Sequence, residues 1–202
     1  GSGVVSEGGL EINNISFGTD TANIGVKHFY GIFNSANGRK SNCTDLSLKY
    51  LYLPSGQLEL SLASGLFVSD SENSAFVIDF NLDALIKVNL QTGKKTILSN
   101  DLRGEGSHFH IPYGIDINLS ETKAYTVDFG IDALFEVDLT TGDREIISNS
   151  SVGVGDDFIA PVNIALSHDE LRVFVIDIGA DALFEVDIET GNRTIKSNST
   201  TG

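Results

Sequence analysis

The 202-residue chain carries 13 basic against 28 acidic side chains, a formal charge of −15. Nothing in it could form the basic stripe that neutralises phosphates, which excludes nucleic acid and disfavours anionic lipid as a partner. No apolar run of about 18 residues is present to span a membrane, and the single Cys43 excludes an internal disulfide.

In chain order, Gly1-Ser2-Gly3 reads as a tag remnant. Residues 4–62 are expected to hold four short strands, Glu11 to Phe17, His28 to Asn34, Leu46 to Leu53 and Gln57 to Leu62. Gly-, Asn- and Ser-rich turns separate them. The segment YLYLPSGQLEL (Tyr50 to Leu60) echoes the later EVDLTTGDREI (Glu136 to Ile146). The region is therefore either a degenerate first repeat or an unrelated cap.

From residue 63 onward one unit recurs: AFVIDFNLDALIKVNLQTGKKTILSN from Ala75, AYTVDFGIDALFEVDLTTGDREIISN from Ala124 and VFVIDIGADALFEVDIETGNRTIKSN from Val173. Asp79, Asp128 and Asp177 are 49 residues apart, and so are Gly93, Gly142 and Gly191. The units run over 63–111, 112–160 and 161–202, the last including the start of an outgoing linker. In each, strand A (Leu66 to Ser69, Ile115 to Asn118, Ile164 to Ser167) leads through a Glu-containing turn into strand B (Ala75 to Phe80, Ala124 to Phe129, Val173 to Ile178). Strand B is a near-continuous apolar run, as expected of a strand covered on both faces. Strand C alternates (Phe135, Val137 and Leu139 against Glu136 and Asp138), and a Thr-Gly turn reverses it into strand D, Arg144 to Ser148 in the second copy.

Four antiparallel strands per 49 residues, the most buried first, describe a β-propeller blade in an all-β chain. The motif V-x-D-x-G-x-D-A-L-F-E-V-D-x-x-T-G resembles the blades of NHL-type and YVTN-type propellers over residues 65 to 198. That resemblance implies architecture and leaves activity open. Three clear blades plus one degenerate blade would make a four-bladed ring. Alternatively the chain is part of a larger propeller, as the linker-like tail SNSTTG suggests, and a homo-oligomer is then expected.

In such a blade the D-to-A linkers and B-to-C turns emerge on one face, where the resemblance places ligands. The pairs Asp79/Asp83, Asp128/Asp132 and Asp177/Asp181 flank three-residue turns there. They read first as turn-fixing side chains and second as a carboxylate ring for Ca²⁺. The linkers GEGSHFHIP (Gly104 to Pro112) and GVGDDFIAP (Gly153 to Pro161) share glycines, a Phe and a Pro, but carry His108 and His110 in one and Asp156 and Asp157 in the other. These differing residues are free to meet a ligand, a transition metal or a proton. Tyr113, Asp116 and Asn163 are expected to line the channel; Asp116 aligns with Phe67 and Ala165 and has no counterpart charge. Six sequons, at Asn14, Asn42, Asn118, Asn149, Asn192 and Asn198, read as turn composition first and glycan sites second.

No nucleophile elbow, Walker loop, HExxH or CxxC is present, and no catalytic residue is assigned. The expected function is an exported propeller, extracellular or periplasmic, binding a protein or small-molecule ligand through its loops without catalysis. One alternative is a hydrolase similar to the calcium-dependent gluconolactonases, whose blades often open strand A with Pro-Asn-Gly. The matching triplets here, Pro112-Tyr113-Gly114 and Pro161-Val162-Asn163, hold Tyr and Val at that family's metal-ligand position. The other alternative is a structural module of a larger surface protein.

Overall fold

The computed structural model describes residues 58–201, and nearer the N-terminus the backbone of four strands. It divides into units Gly1–Gly56 and Gln57–Gly202. In the first unit β1 (Val4–Ser6) pairs with β2 (Gly9–Glu11) and β3 (Phe29–Asn34) with β4 (Lys40–Leu46), as two separate antiparallel sheets. The expected strand from His28 to Asn34 is β3; those at Glu11 to Phe17 and Leu46 to Leu53 lie almost wholly outside the described residues. The expected strand from Gln57 to Leu62 is not formed, for residues 58–62 are irregular. The amides of Ser61 and Leu62 donate to the carboxylate of Asp79 instead of to a neighbouring strand.

The second unit is the repeat made physical. Three four-stranded antiparallel meanders follow one another: β5 (Ala63–Val68) to β6 (Ser74–Asp79), β7 (Ala84–Asn89) and β8 (Lys95–Ser99); β9 (Pro112–Ile117) to β10 (Lys123–Asp128), β11 (Ala133–Asp138) and β12 (Arg144–Ser148); and β13 (Pro161–Leu166) to β14 (Arg172–Asp177), β15 (Ala182–Asp187) and β16 (Arg193–Ser197). Even the irregularities recur. In every blade the register slips once between strands A and B and once between C and D, the latter beside Leu85, Leu134 and Leu183. Strand A starts three residues earlier than the sequence pattern indicates. Pro112 pairs with Asp128 and Pro161 with Asp177, and proline is tolerated at the first residue of an edge strand.

The core lies between blades, not within one. Phe76, Ile78 and Leu85 of the first blade pack with Ile115, Ile117, Phe135 and Val137 of the second, with Phe109 of the linker beneath them. Tyr125, Val127 and Leu134 pack in turn with Ile164, Val173, Val175 and Phe184 of the third, over Phe158. A lone blade would leave both faces of strand B wet, which is why the repeat must stack. The inner strands stack directly, β9 lying between β5 and β13. Strands β6 and β10 are buried along nearly their whole length, but β14, with the same apolar sequence, alternates buried and exposed because nothing described covers its outward face. Among the described residues no helix is long and apolar enough to cross a membrane.

Candidate functional site

The paired aspartates divide their work. Asp79, Asp128 and Asp177 end strand B fully buried, and each accepts amide N–H groups from two directions. Asp177 takes Gly179 and Ala180 of its own turn, at 3.0 and 2.9 Å, and Ile159 and Ala160 of the incoming linker, at 2.8 and 3.0 Å. Asp128 takes Gly130 and Ile131 of its turn and, at 2.6 Å, the amide of His110. One carboxylate thus pins the B-to-C turn to the linker arriving beside it. Burial pushes the Asp128 carboxyl upward against the amide bonds that favour its charged form.

The second aspartate of each pair adopts the left-handed backbone, with φ of 45° at Asp83, 50° at Asp132 and 48° at Asp181. Asp83 accepts the Ile111 amide at 3.0 Å. Its counterpart Asp132 has lost that bond, since Ala160 bonds Asp177, and its Oδ1 is buried with no partner. Burial, with Asp177 and Asp157 near, pushes the Asp132 carboxyl upward. Among the described residues no three His, Cys, Asp or Glu side chains are placed to hold one metal ion.

The linkers are wrapped around two arginines that the sequence pattern did not single out. Arg144, at the start of β12, is buried and donates to the carbonyls of Ser107, Asn100, Arg103 and Gly104 and to Ser99 Oγ, with its guanidinium 5.4 Å from the Phe109 ring. Arg193 repeats this around residues 149–156, over Phe158 at 5.5 Å. Gly104 is obligatory in this wrap: a Cβ there would lie 1.8 Å from the Gly142 carbonyl oxygen. The signal that would have found the arginines is a joint one. Where the first blade has Lys95 in place of Arg, the segment leading into it has Leu60 in place of Phe, and no Gly-x-Gly.

Within these wrapped loops the four differing residues are exposed. His108 is exposed, its Nδ1 3.0 Å from Asp101 Oδ1, and His110 is exposed against the Gly130 turn. Asp156 gives its backbone carbonyl to Arg193, and Asp157 pairs with the same guanidinium at 3.0 Å. Tyr113 is the best placed of the expected residues. It stacks on Phe80, with ring centroids 5.3 Å apart and planes at 15°, and meets Phe129 at 6.1 Å. Phe80 and Phe129, each next to the buried Asp of strand B, were not anticipated as site residues. With the exposed Ile131, Ile159 and Ile178 they make an apolar rim on the face that carries the B-to-C turns and the linkers.

Asp116 lies elsewhere. Because β9 begins at Pro112, Asp116 sits near its far end, in a cleft with Asp70, Glu121, Ser167, His168 and Glu170 on the A-to-B turns. Its Oδ2 accepts the Leu166 amide at 2.7 Å and its Oδ1 that of Ile117 at 2.8 Å. The charge at Asp116, which has no counterpart in the other blades, therefore has a folding role: Leu166 lies on an edge strand, whose outward amides need acceptors. Asn163 is exposed and accepts the amide of Ile164 with its own side chain.

No family model matches the chain, and no curated protein does. Solved structures do. Hydrazine synthase of Kuenenia stuttgartiensis aligns at 18% identity and a TM-score of 0.52, over 69% of this chain and 36% of that one. A chain of a nidogen/laminin complex aligns at 14% and 0.55, over 69% and 49%. A Bacteroides thetaiotaomicron protein of unknown function aligns at 17% and 0.52, over 67% and 35%. The chain thus spans half or less of each. Such identities carry the fold alone, and the fold of the described repeats is that of β-propeller blades.

Proposed function

We propose that this chain is an exported, non-catalytic propeller scaffold that binds a partner on the rim around Tyr113. The observation that carries the reading is the Phe80–Tyr113–Phe129 aromatic row, continued by the exposed Ile131, Ile159 and Ile178. Exposed apolar groups gathered on a rigid frame mark interaction sites far more often than scattered ones do, and aromatic anchors dominate binding energies. The frame is rigid because each B-to-C turn is held by a buried carboxylate, and the linkers into the second and third blades each by a buried guanidinium. Around the rim stand Asp132, Asp156, Asp157 and Asp181, on a chain of net charge −15. The partner chemistry that fits is an aromatic or aliphatic segment flanked by basic groups.

The reading is tested by selecting peptides from a displayed random library against the wild-type chain. Selected peptides should carry aromatic and basic residues. They should bind Phe129→Ser and Ile159→Asp at least about tenfold more weakly, a loss of about 1.4 kcal/mol. Peptides indifferent to both substitutions would remove the rim as the site.

A further inference from the structure

The joint between a linker and the B-to-C turn beside it is made in two ways. In the third blade the amides of Ile159 and Ala160 both donate to Asp177, at 2.8 and 3.0 Å. The first blade does the same, with Ser61 and Leu62 on Asp79. In the second blade the His110 amide donates to Asp128, but the Ile111 amide turns to Asp83 of the preceding blade, at 3.0 Å. The next carbonyl is held alike in both: Phe129 donates to that of Ile111 at 3.0 Å and Ile178 to that of Ala160 at 3.1 Å. The difference is thus confined to one peptide group, turned over. Two further observations agree. Ile111 has φ of 76°, whereas Ala160 is not left-handed. The His110 carbonyl oxygen lies over Gly130, 1.9 Å from where a Cβ would stand, but over Gly179 that place is taken by the Ile159 side chain, at 2.7 Å.

Neither arrangement satisfies everything. The turned peptide of the second blade holds a β-branched residue in the left-handed region. The unturned peptide of the third leaves Asp132 Oδ1 as the one buried side-chain polar atom, among the described residues, with no partner. Ala160, unbranched at Cβ, resists the left-handed region less than Ile111 does. The acceptor that a turned 159–160 peptide would need already stands in place, since Asp132 occupies the position of Asp83. We propose that this peptide is a two-position switch: the Ala160 amide passes between Asp177 Oδ1 and Asp132 Oδ1, and Ile159, on the apolar rim, moves with it.

What the switch regulates rests on the rim being the binding site. Ile159 is 60% exposed, and Ile131 of the rim is on the same turn as Asp132. With the amide on Asp177, Ile159 packs over Gly179. With the amide on Asp132, a carbonyl takes that place, as that of His110 does over Gly130, and Ile159 is carried off the turn. The chain then presents two rims, and a partner that prefers one draws the population to it. The other two joints are held. Asp83 keeps the second one turned. In the first, Asn81 carries a Cβ where the later blades have Gly130 and Gly179, and its Nδ2 donates to Ser61 Oγ at 2.8 Å.

NMR relaxation dispersion on the full chain, with no partner added, tests this in the microsecond-to-millisecond range. In the wild type the Ala160 amide and the Ile159 methyls should exchange at one common rate. Asp132→Gly keeps the left-handed backbone and removes the second acceptor, so the exchange should vanish. Ala160→Gly lifts the cost of the left-handed region, and the turned population should rise at least about fivefold. An Ala160 amide that is quiet in the wild type overturns the proposal. So does exchange that survives Asp132→Gly, or a population that Ala160→Gly leaves unchanged. An amide that exchanges without a matching rate at Ile159 would detach the switch from the rim and overturns it equally. These outcomes stand apart from the library selection: a rim that selects no peptide leaves the switch measurable, and a silent switch leaves a binding rim in place.

Discussion

Asp116 accepts the backbone amide of Leu166 at 2.7 Å, carrying a charge-assisted hydrogen bond from the second blade to the edge strand of the third. Removing the acceptor leaves that amide and the Ile117 amide to water or to nothing. Asp116→Ala should therefore cost about 1–3 kcal/mol. For a domain of this size that lowers Tm by roughly 2–10 °C. Asp116→Asn, which keeps one acceptor, should lose less. A thermal melt decides the matter, and an Asp116→Ala chain that melts like the wild type would return Asp116 to the list of ligand-facing residues.

Arg193 is the firmer joint. Its guanidinium bonds Ser148 Oγ, the carbonyls of Asn149, Val152, Gly155 and Asp156, and the Asp157 carboxylate. Lysine brings one compact ammonium in place of a planar fork and cannot serve this set. Arg193→Lys is expected to cost about 2–4 kcal/mol. Hydrogen exchange should show the amides of residues 149–160 losing protection before the strands do. Uniform loss across all three blades would mean that the linker is not organised around this side chain.

Asp132 supplies a pH prediction of unusual sign. Its folded carboxyl is raised by burial, by Asp177 and by Asp157. A raised carboxylate binds its proton more tightly in the folded state, so it subtracts from stability as pH rises from the ordinary value of 3.8 through its folded value. Asp132→Asn removes that penalty and suits the left-handed backbone. At pH 7 its Tm should rise by about 1–3 °C, a gain kept small because the group is only partly buried. The gain should vanish below the ordinary carboxyl value of 3.8, where Asp132 is protonated in both states. The exposed Asp169 runs the other way: Ser167 Oγ, the Leu171 amide and Arg172 hold its carboxyl down to about 2, so its contribution is lost as pH falls from 3.8 toward that value. A gain from Asp132→Asn that persists unchanged at acid pH would contradict this account.

The blades were legible in the sequence because their determinants are local and periodic. Asp79, Asp128 and Asp177 recur at a spacing that no other constraint would enforce, and the apolar run before each requires cover on both faces. The site was less legible for two physical reasons. Asp116 answers an amide 50 residues away, on a strand edge whose free donors no local pattern reveals. Arg144 and Arg193 sit at the start of strand D, where a lone cation reads as surface, yet their partners are carbonyls of the linker that opens their own blade. Tyr113 reads from the sequence as a channel residue, but its value comes from Phe80 and Phe129, which the B-strand pattern absorbs as apolar ends.

Calcium is the remaining question that one melt can answer. The strand-end carboxylates expected in a metal ring are engaged: Asp79 accepts from Ser61, Leu62, Asn81 and Leu82, and Asp177 from four amides. A cation would have to displace those bonds from a turn they hold in place. Melts in EDTA and in millimolar Ca²⁺ should therefore coincide within about 1 °C. A ligand at about 100 times its Kd would add about 2.7 kcal/mol, or roughly 5–10 °C here. Asp177→Asn should lower Tm equally in both buffers, since it removes acceptors, not ligands. A calcium-dependent rise of several degrees that Asp177→Asn abolishes would overturn this assignment and bring back the calcium-dependent hydrolase as the reading to pursue.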